Sequence, residues 1–429
     1  MQRGIFLSFI LFAVSLCGVS GRGCTQVVPD SNWMESVKTV TLYKNGVELE
    51  YPVLALGGED RLLLRFDVLG SEVGNYRYRI RHCDSQWQPD EMQPYEFVNG
   101  FDEGTIDNYN NSFTTLTDYV NYFQYIPEPY SRLQLSGNYV VTVYMADEPD
   151  SVLLTRRFVV VEGSLKADVS VMVPYDNTDI FERREVDVTV SPNADYRGDM
   201  LVPSLNPAYL KVMVRQNGRL DNERELTFSG YDRGNLCYRN KPENVFRCGN
   251  GFRYFDISNL WTAMYNVQHA EEYGGAWYAL LKPLEDRSSK PFATEQTLNG
   301  GMKVNVWDRT NKQTEADYAY VNFLLPMKYP FMNGNVYVVG DLTQWRLDEH
   351  SRMNYDVNRH AYMLRLLLKQ GYYAYQLLFV PVGEHEGLTA TLEGDHYETP
   401  NDYYVYVYYR SPNDRYDRLV SYRKICGGM

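Results

Sequence analysis

Cysteine is scarce in this chain: six residues in 429, and only Cys24, Cys83, Cys237, Cys248 and Cys426 follow the first 21 residues. So odd and sparse a set excludes a disulfide-built scaffold. There is no Cys-x-x-Cys or His-x-x-x-His pair, and the six histidines are scattered, so no metal site is expected. Basic residues are outnumbered, 42 Lys and Arg against 55 Asp and Glu, for a net charge of -13. Without a sustained basic patch the chain lacks what nucleic-acid phosphates or anionic lipid require. No apolar run approaches the ~18 residues of a membrane-crossing helix. Gly-x-Ser-x-Gly and Walker-type patterns are missing too, so the reading is of a non-enzymatic protein with no cofactor and no small-molecule substrate.

What is abundant is tyrosine, 38 residues within an aromatic content of 14%, together with glycine and proline. That composition, with few long amphipathic runs, points to an all-β fold. Arg3 and the apolar run over 5–16, followed by Gly18-Val19-Ser20-Gly21, form an export signal over residues 1–21. Leu16 before Cys17, and Arg22 two places before Cys24, fit a lipidation motif poorly. A soluble exported protein is therefore expected, with a lipid anchor at Cys17 or Cys24 as the lesser alternative.

Short strands separated by turn residues run through the rest. Those over 36–42, 47–51 after an Asn45-Gly46 turn, 62–68, 76–81, 121–126, 136–144 and 153–161 make a first immunoglobulin-like sandwich over 30–162. A second β-sandwich is expected over 163–327 and a third over 328–429, giving tandem immunoglobulin-like β-sandwich domains. Within the second, 260–279 has a spacing that permits a short helical turn, although Gly274-Gly275 opposes a long one. The run Tyr403-Tyr404-Val405-Tyr406-Val407-Tyr408-Tyr409 is apolar on both faces and should be covered on both sides. Cys237 and Cys248 are the one pair close enough in sequence for a local bridge, with free thiols the equal alternative.

From Tyr76 to Arg81 rings or isoleucine alternate with arginine, the period of a half-buried strand. The adjacent His82 and Cys83 then point to opposite faces, which argues against a nucleophile beside its base and for Cys83 as a small buried residue. A long polar loop is expected to follow.

Several ordered segments carry a family likeness. Tyr78-Arg79-Ile80-Arg81-His82-Cys83-Asp84-Ser85-Gln86-Trp87, Glu96-Phe97-Val98-Asn99-Gly100-Phe101, Asn108-Tyr109-Asn110-Asn111-Ser112-Phe113-Thr114-Thr115-Leu116, Tyr119-Val120-Asn121-Tyr122 and Ser136-Gly137-Asn138-Tyr139 resemble the first domain of the type IX secretion system plug family. Near the C-terminus, Glu393-Gly394-Asp395-His396-Tyr397 through Asp402-Tyr403 looks like the end of that family. Asp84 and Ser85 depart from the Asn and Ala of the family's motif. The resemblance implies a periplasmic protein that docks on the outer-membrane β-barrel translocon of that system and closes it between transport events. Phe97, Asn99, Phe101, Asn108, Tyr109, Tyr119 and Tyr122 are the candidate partner-binding residues. A second segment, Gly340-Asp341-Leu342-Thr343-Gln344-Trp345, is similar to the turn of glycogen-binding modules. It supplies an alternative: a periplasmic or surface glycan-binding protein using Trp345, weighed against Trp345 as a packing residue.

Overall fold

The computed structural model describes residues 30–45, 47–198, 203–293 and 298–427. The expected export signal, both lipidation candidates and Gly46 of the first turn lie outside those residues. The described chain is almost wholly β, with 49% strand against 3% helix.

In the first sandwich one sheet runs Ser31–Asn32, Glu148–Val161, Gly137–Met145, Tyr76–Cys83, Glu103–Thr105, with Val53–Ala55 parallel to Glu148–Val161. The facing sheet runs Val37–Lys44, Leu62–Leu69, Tyr119–Ile126, Tyr109–Asn111. The alternation over Tyr76–Cys83 places Tyr76, Tyr78 and Ile80 in the core with Phe66, Tyr122, Tyr139 and Phe158, and keeps Arg77, Arg79 and Arg81 outside it. Residues 47–51 are not the expected second strand but a turn. The long loop after Trp87 carries a helical turn and three short strands, Val98–Asn99, Glu103–Thr105 and Tyr109–Asn111. Glu103–Thr105 closes the edge of one sheet, Tyr109–Asn111 closes the edge of the other, and Ile106 is buried where the chain crosses between them. As three-residue, mostly polar end strands they blunt edges that longer strands would leave as templates for aggregation.

The second sandwich sets Leu165–Met172, Arg183–Pro192, Asn235–Tyr238 and Gly230–Asp232 against Arg224–Leu226, Leu210–Gln216, Asn401–Tyr409 and Arg418–Gly427. Its last two strands come from the C-terminus. Between them and Val245–Arg247 is inserted a nine-stranded unit with its own core around Phe255, Phe323, Tyr373 and Tyr375. In that unit Tyr318–Pro326 pairs along its whole length with Ala361–Lys369. The expected division at 327/328 therefore falls inside one hydrogen-bonded sheet, and the C-terminal strands expected in a third unit belong to the second sandwich.

The doubly apolar run explains that topology. Asn401–Tyr409 is buried at every residue and lies between Leu210–Gln216 and Arg418–Gly427. Tyr403, Val405, Val407 and Tyr409 fill the second core, while Tyr404, Tyr406 and Tyr408 face Cys83, Trp87, Val140 and Val159 of the first sandwich. Burying each ring there contributes roughly 2 kcal/mol, so the strand is held by two cores at once. The segment read as a helical turn is a hairpin, Val267–Tyr273 with Ala276–Leu281, closed by Gly274 and Gly275 at φ of 62° and 80°. Two consecutive positive φ values make the tight turn that suits right-twisted strands, which glycine adopts at no steric cost.

Candidate partner-binding surface

The seven residues expected to meet a partner divide by burial. Phe97, Tyr119 and Tyr122 are 2%, 1% and 0% exposed, so, contrary to expectation, they have no surface to offer a partner. Phe97 ends the helical turn Pro94–Phe97 and points inward to Tyr139, ring centres 6.0 Å apart. Tyr122 stacks on Phe66 at 5.3 Å. Tyr119 donates its hydroxyl to the carbonyl of Ala316 at 2.8 Å, and the Lys369 ammonium sits 4.0 Å from its ring centre. Tyr119 is thus a joint between the first sandwich and the inserted unit. In a strand buried on both sides, aromatic residues read the same whether they meet another chain or this one.

Asn99, Phe101, Asn108 and Tyr109 are exposed, in two places. Asn108 and Tyr109 lie on the sheet edge, with Tyr109 resting on Tyr122 at 5.9 Å. Asn99 and Phe101 belong to one tip of the sandwich. There Val98–Asn99 pairs with Arg132–Leu133, the Phe101 amide donates to Ser131 Oγ at 2.9 Å, and the amide of Gln134 donates to the Phe97 carbonyl at 2.8 Å. Gly100, at φ 118°, lies so close to Ser131 that a side chain would have no room. The preceding turn is braced by the Gln93 amide donating to Glu96 Oε2 at 2.8 Å and by an ion pair of Glu96 with Arg415. Three rings stand out from this braced tip, Tyr95, Phe101 and Tyr130, at 77%, 68% and 92% exposure. Tyr95 and Tyr130 had no signal in the sequence beyond being aromatic beside a proline.

Residues 37–162 match the family model described as Type 9 secretion system plug protein 1st domain. The first sandwich is a first domain of the type 9 secretion system plug family. A crystal structure of a hypothetical protein from Parabacteroides merdae is similar over nearly the whole length, with a TM-score of 0.87, 32% identity, and coverage of 93% of this chain and 99% of that one. No curated protein matches the chain. Membership supports a secretion-related plug role of structural rather than catalytic kind. No described helix is long and apolar enough to cross a membrane.

The chemistry-bearing residues of this chain are absorbed by packing. His82 pairs through Nδ1 with Asp90 and through Nε2 with the Ser136 carbonyl at 3.1 Å, while Cys83 lies on the opposite face beneath the second sandwich. Burial pushes the Cys83 thiol up to about 12, the reverse of what a nucleophile needs. Cys237 and Cys248 are free. Cys237 lies opposite Thr189, whereas the residue before Cys248 lies opposite Arg183 on the same strand. Six residues of strand separate those positions by roughly 20 Å, beyond disulfide reach. Trp345 donates Nε1–H to Asp341 Oδ1 at 2.8 Å and meets Phe252 edge-on at 5.9 Å. Its indole also lies directly against Gly218 and Gly300, where any side chain would collide with it. It packs the second sandwich onto the inserted unit, the alternative to a sugar-stacking residue. Among the described residues no group of three or more His, Cys, Asp or Glu could hold a metal ion.

Proposed function

We propose that this protein is a periplasmic plug, a non-enzymatic stopper that docks on the periplasmic opening of the outer-membrane β-barrel translocon of the type IX system and closes it between transport events. The observation that carries the reading is the first-domain family match together with the way that domain is tied to the rest. A stopper over a wide opening must not yield between its parts, whereas interfaces between domains usually permit relative motion.

Here the first sandwich is fastened on two sides. On the inserted unit, Asp67 takes Lys369 at 2.7 Å and Tyr318 at 2.6 Å, while Asn121 of its own sandwich donates to it at 2.6 Å. On the second sandwich, Tyr408 donates to Asn138 at 2.8 Å, Asp417 accepts from the Ser85 amide at 2.8 Å, and Arg418 pairs with Glu162 at 2.7 Å. Buried polar contacts of this kind have few alternative arrangements, because each displaced group is left unpaired away from water. The second sandwich and the inserted unit are joined in turn by Arg247 with Asp395 at 2.7 Å and Arg224 with Glu386 at 2.9 Å. The test is purification of the translocon from cells at native salt. This protein is expected in the complex at near-stoichiometric amount, and its absence would overturn the reading.

A further inference from the structure

We infer that Glu185 and Asp187 form a proton-operated latch on the second sandwich. While Asp187 carries a proton, the pair holds the loop over 173–182 and the turn over 239–244 onto the sheet; loss of that proton as pH rises loosens both. The inference stands apart from the docking function proposed above, since it concerns the second sandwich alone.

The period of two puts both carboxyls on one face. Arg183–Pro192 buries Val186, Val188 and Val190 in the second core, so Glu185 and Asp187 project together from the other side. Their backbones are about 7 Å apart along the strand. Glu185 is nevertheless 0% exposed, because the loop and the turn close over it. Its Oε2 accepts from the Tyr175 amide and its Oε1 from the Asn240 amide, both at 2.6 Å. Bonds from amides to a carboxylate are short and strong, and one side chain thereby ties down two segments far apart in sequence.

Asp187 completes the arrangement. Its Oδ1 is buried and meets no hydrogen-bond donor among the described residues. Both oxygens of Glu185 act as acceptors, the role of an ionised carboxylate. The proton shared by the pair therefore sits on Asp187, where it turns an unsatisfied acceptor into a donor toward Glu185. Without it, two charges face each other with little water to screen them. Burial, followed by the hydrogen bond and charge of Glu185, holds the Asp187 carboxyl up at about 7 from an ordinary 3.8, while Arg239 works to lower it.

The surroundings supply little further compensation. On the neighbouring strand Leu165–Met172, Ser170 lies opposite Asp187 and Met172 opposite Glu185; Asp168, next on that face, pairs with Lys166 at 2.7 Å. On the other side Val245 lies opposite Glu185 and Cys237 opposite Thr189. That register, continued past Tyr238, brings Arg239 beside Asp187, and Arg239 is exposed. In the covering segments Asp176 accepts from the Thr178 amide at 3.0 Å, Asp179 pairs with Arg183 at 3.2 Å, and Glu243 accepts from the Thr227 amide at 3.2 Å with Lys241 beside it.

The sign of the effect follows. The folded chain keeps a proton that the unfolded chain gives up near pH 4, so the hold on the two segments is complete below about pH 4 and is lost as pH rises to about 7. The loop carries Val173, Tyr175 and Phe181 in contact with solvent, so its release alters an apolar stretch of surface and leaves the core intact.

The test is hydrogen exchange of the purified full chain, read by mass spectrometry at about pH 5 and about pH 8, with each rate divided by that of the unfolded chain at the same pH. Wild-type protection over 173–182 and 239–244 is expected to fall by roughly tenfold or more, while that of Asn401–Tyr409 stays within about twofold. Asp187→Asn has an amide that donates to Glu185 at either pH, and the two segments should keep their protection in it. Flat protection in wild type, or an equal fall in Asp187→Asn, would overturn the latch. An equal fall over Asn401–Tyr409 would overturn it as well, because the whole sandwich would then be loosening.

Discussion

Lys369 and Asp67 meet at 2.7 Å with both side chains wholly shut off from solvent, Asp67 from the first sandwich and Lys369 from the inserted unit. Burial lowers the pKa of the Lys369 ammonium, while the facing Asp67 carboxylate works to raise it. The carboxylate is also met by Tyr318 and Asn121, so the joint is a closed polar network.

Removing one partner of this pair leaves a buried charge without its counter-charge. Lys369→Met is expected to lower unfolding free energy by about 3–5 kcal/mol, read from urea denaturation. The double variant Asp67→Leu/Lys369→Met removes both charges and should recover a substantial part of the loss. Additive losses in the double variant would contradict a coupled pair.

Alkali should weaken the fold through the buried thiols. Burial pushes Cys83 and Cys248 up to about 12 from an ordinary value near 9. Between pH 9 and 12 the unfolded chain therefore gives up protons that the folded chain keeps. The stabilisation is fully present below pH 9 and is lost as pH rises toward 12. Tyr406 and Tyr408, also raised by burial, act in the same direction. The urea midpoint is expected to hold up to pH 9 and fall above it, with a shallower fall in Cys83→Ala/Cys248→Ala. A midpoint that rises with pH would contradict the burial of these groups.

The same burial orders thiol reactivity. Cys426 is exposed, whereas Cys83, Cys237 and Cys248 are buried. Brief iodoacetamide treatment of the native protein, followed by peptide mapping, should label Cys426 well ahead of the other three. Equal labelling of Cys83 would mean that the first and second sandwiches part readily.

Trp345 is expected to behave as packing. Trp345→Ala should cost about 3 kcal/mol of stability, and soluble glucans should leave wild-type tryptophan fluorescence unchanged. Gly218→Ala puts a methyl group into the indole's place and should cost about 1–3 kcal/mol, with partial recovery on adding Trp345→Phe. A saturable glucan response abolished by Trp345→Ala would restore the sugar-binding alternative.

Strands whose two faces differ were readable from sequence, because alternation reports burial directly. Tyr76–Cys83 stands within two residues of where its pattern puts it. The doubly apolar run at 403–409 was readable as a covered strand for the same reason. Its neighbours were not, since pairing between Leu210–Gln216 and Asn401–Tyr409 spans nearly 200 residues and leaves no local trace. That is why an inserted unit looked like a sequential one. The edge strands Glu103–Thr105 and Tyr109–Asn111 escaped notice because they are three residues each and mostly polar. At the candidate surface, sequence located the loop but could not distinguish rings turned inward, Phe97 and Tyr122, from the ring turned outward, Phe101. The segment of Tyr130 meets that of Phe101 through the Ser131 bond and the pairing of Val98–Asn99 with Arg132–Leu133, some thirty residues along the chain.

The most direct measurement is electrical. With the purified translocon reconstituted in a planar bilayer, addition of this protein to the periplasmic side is expected to abolish a steady open-pore conductance. Conductance that is unchanged at saturating wild-type protein would contradict the plug.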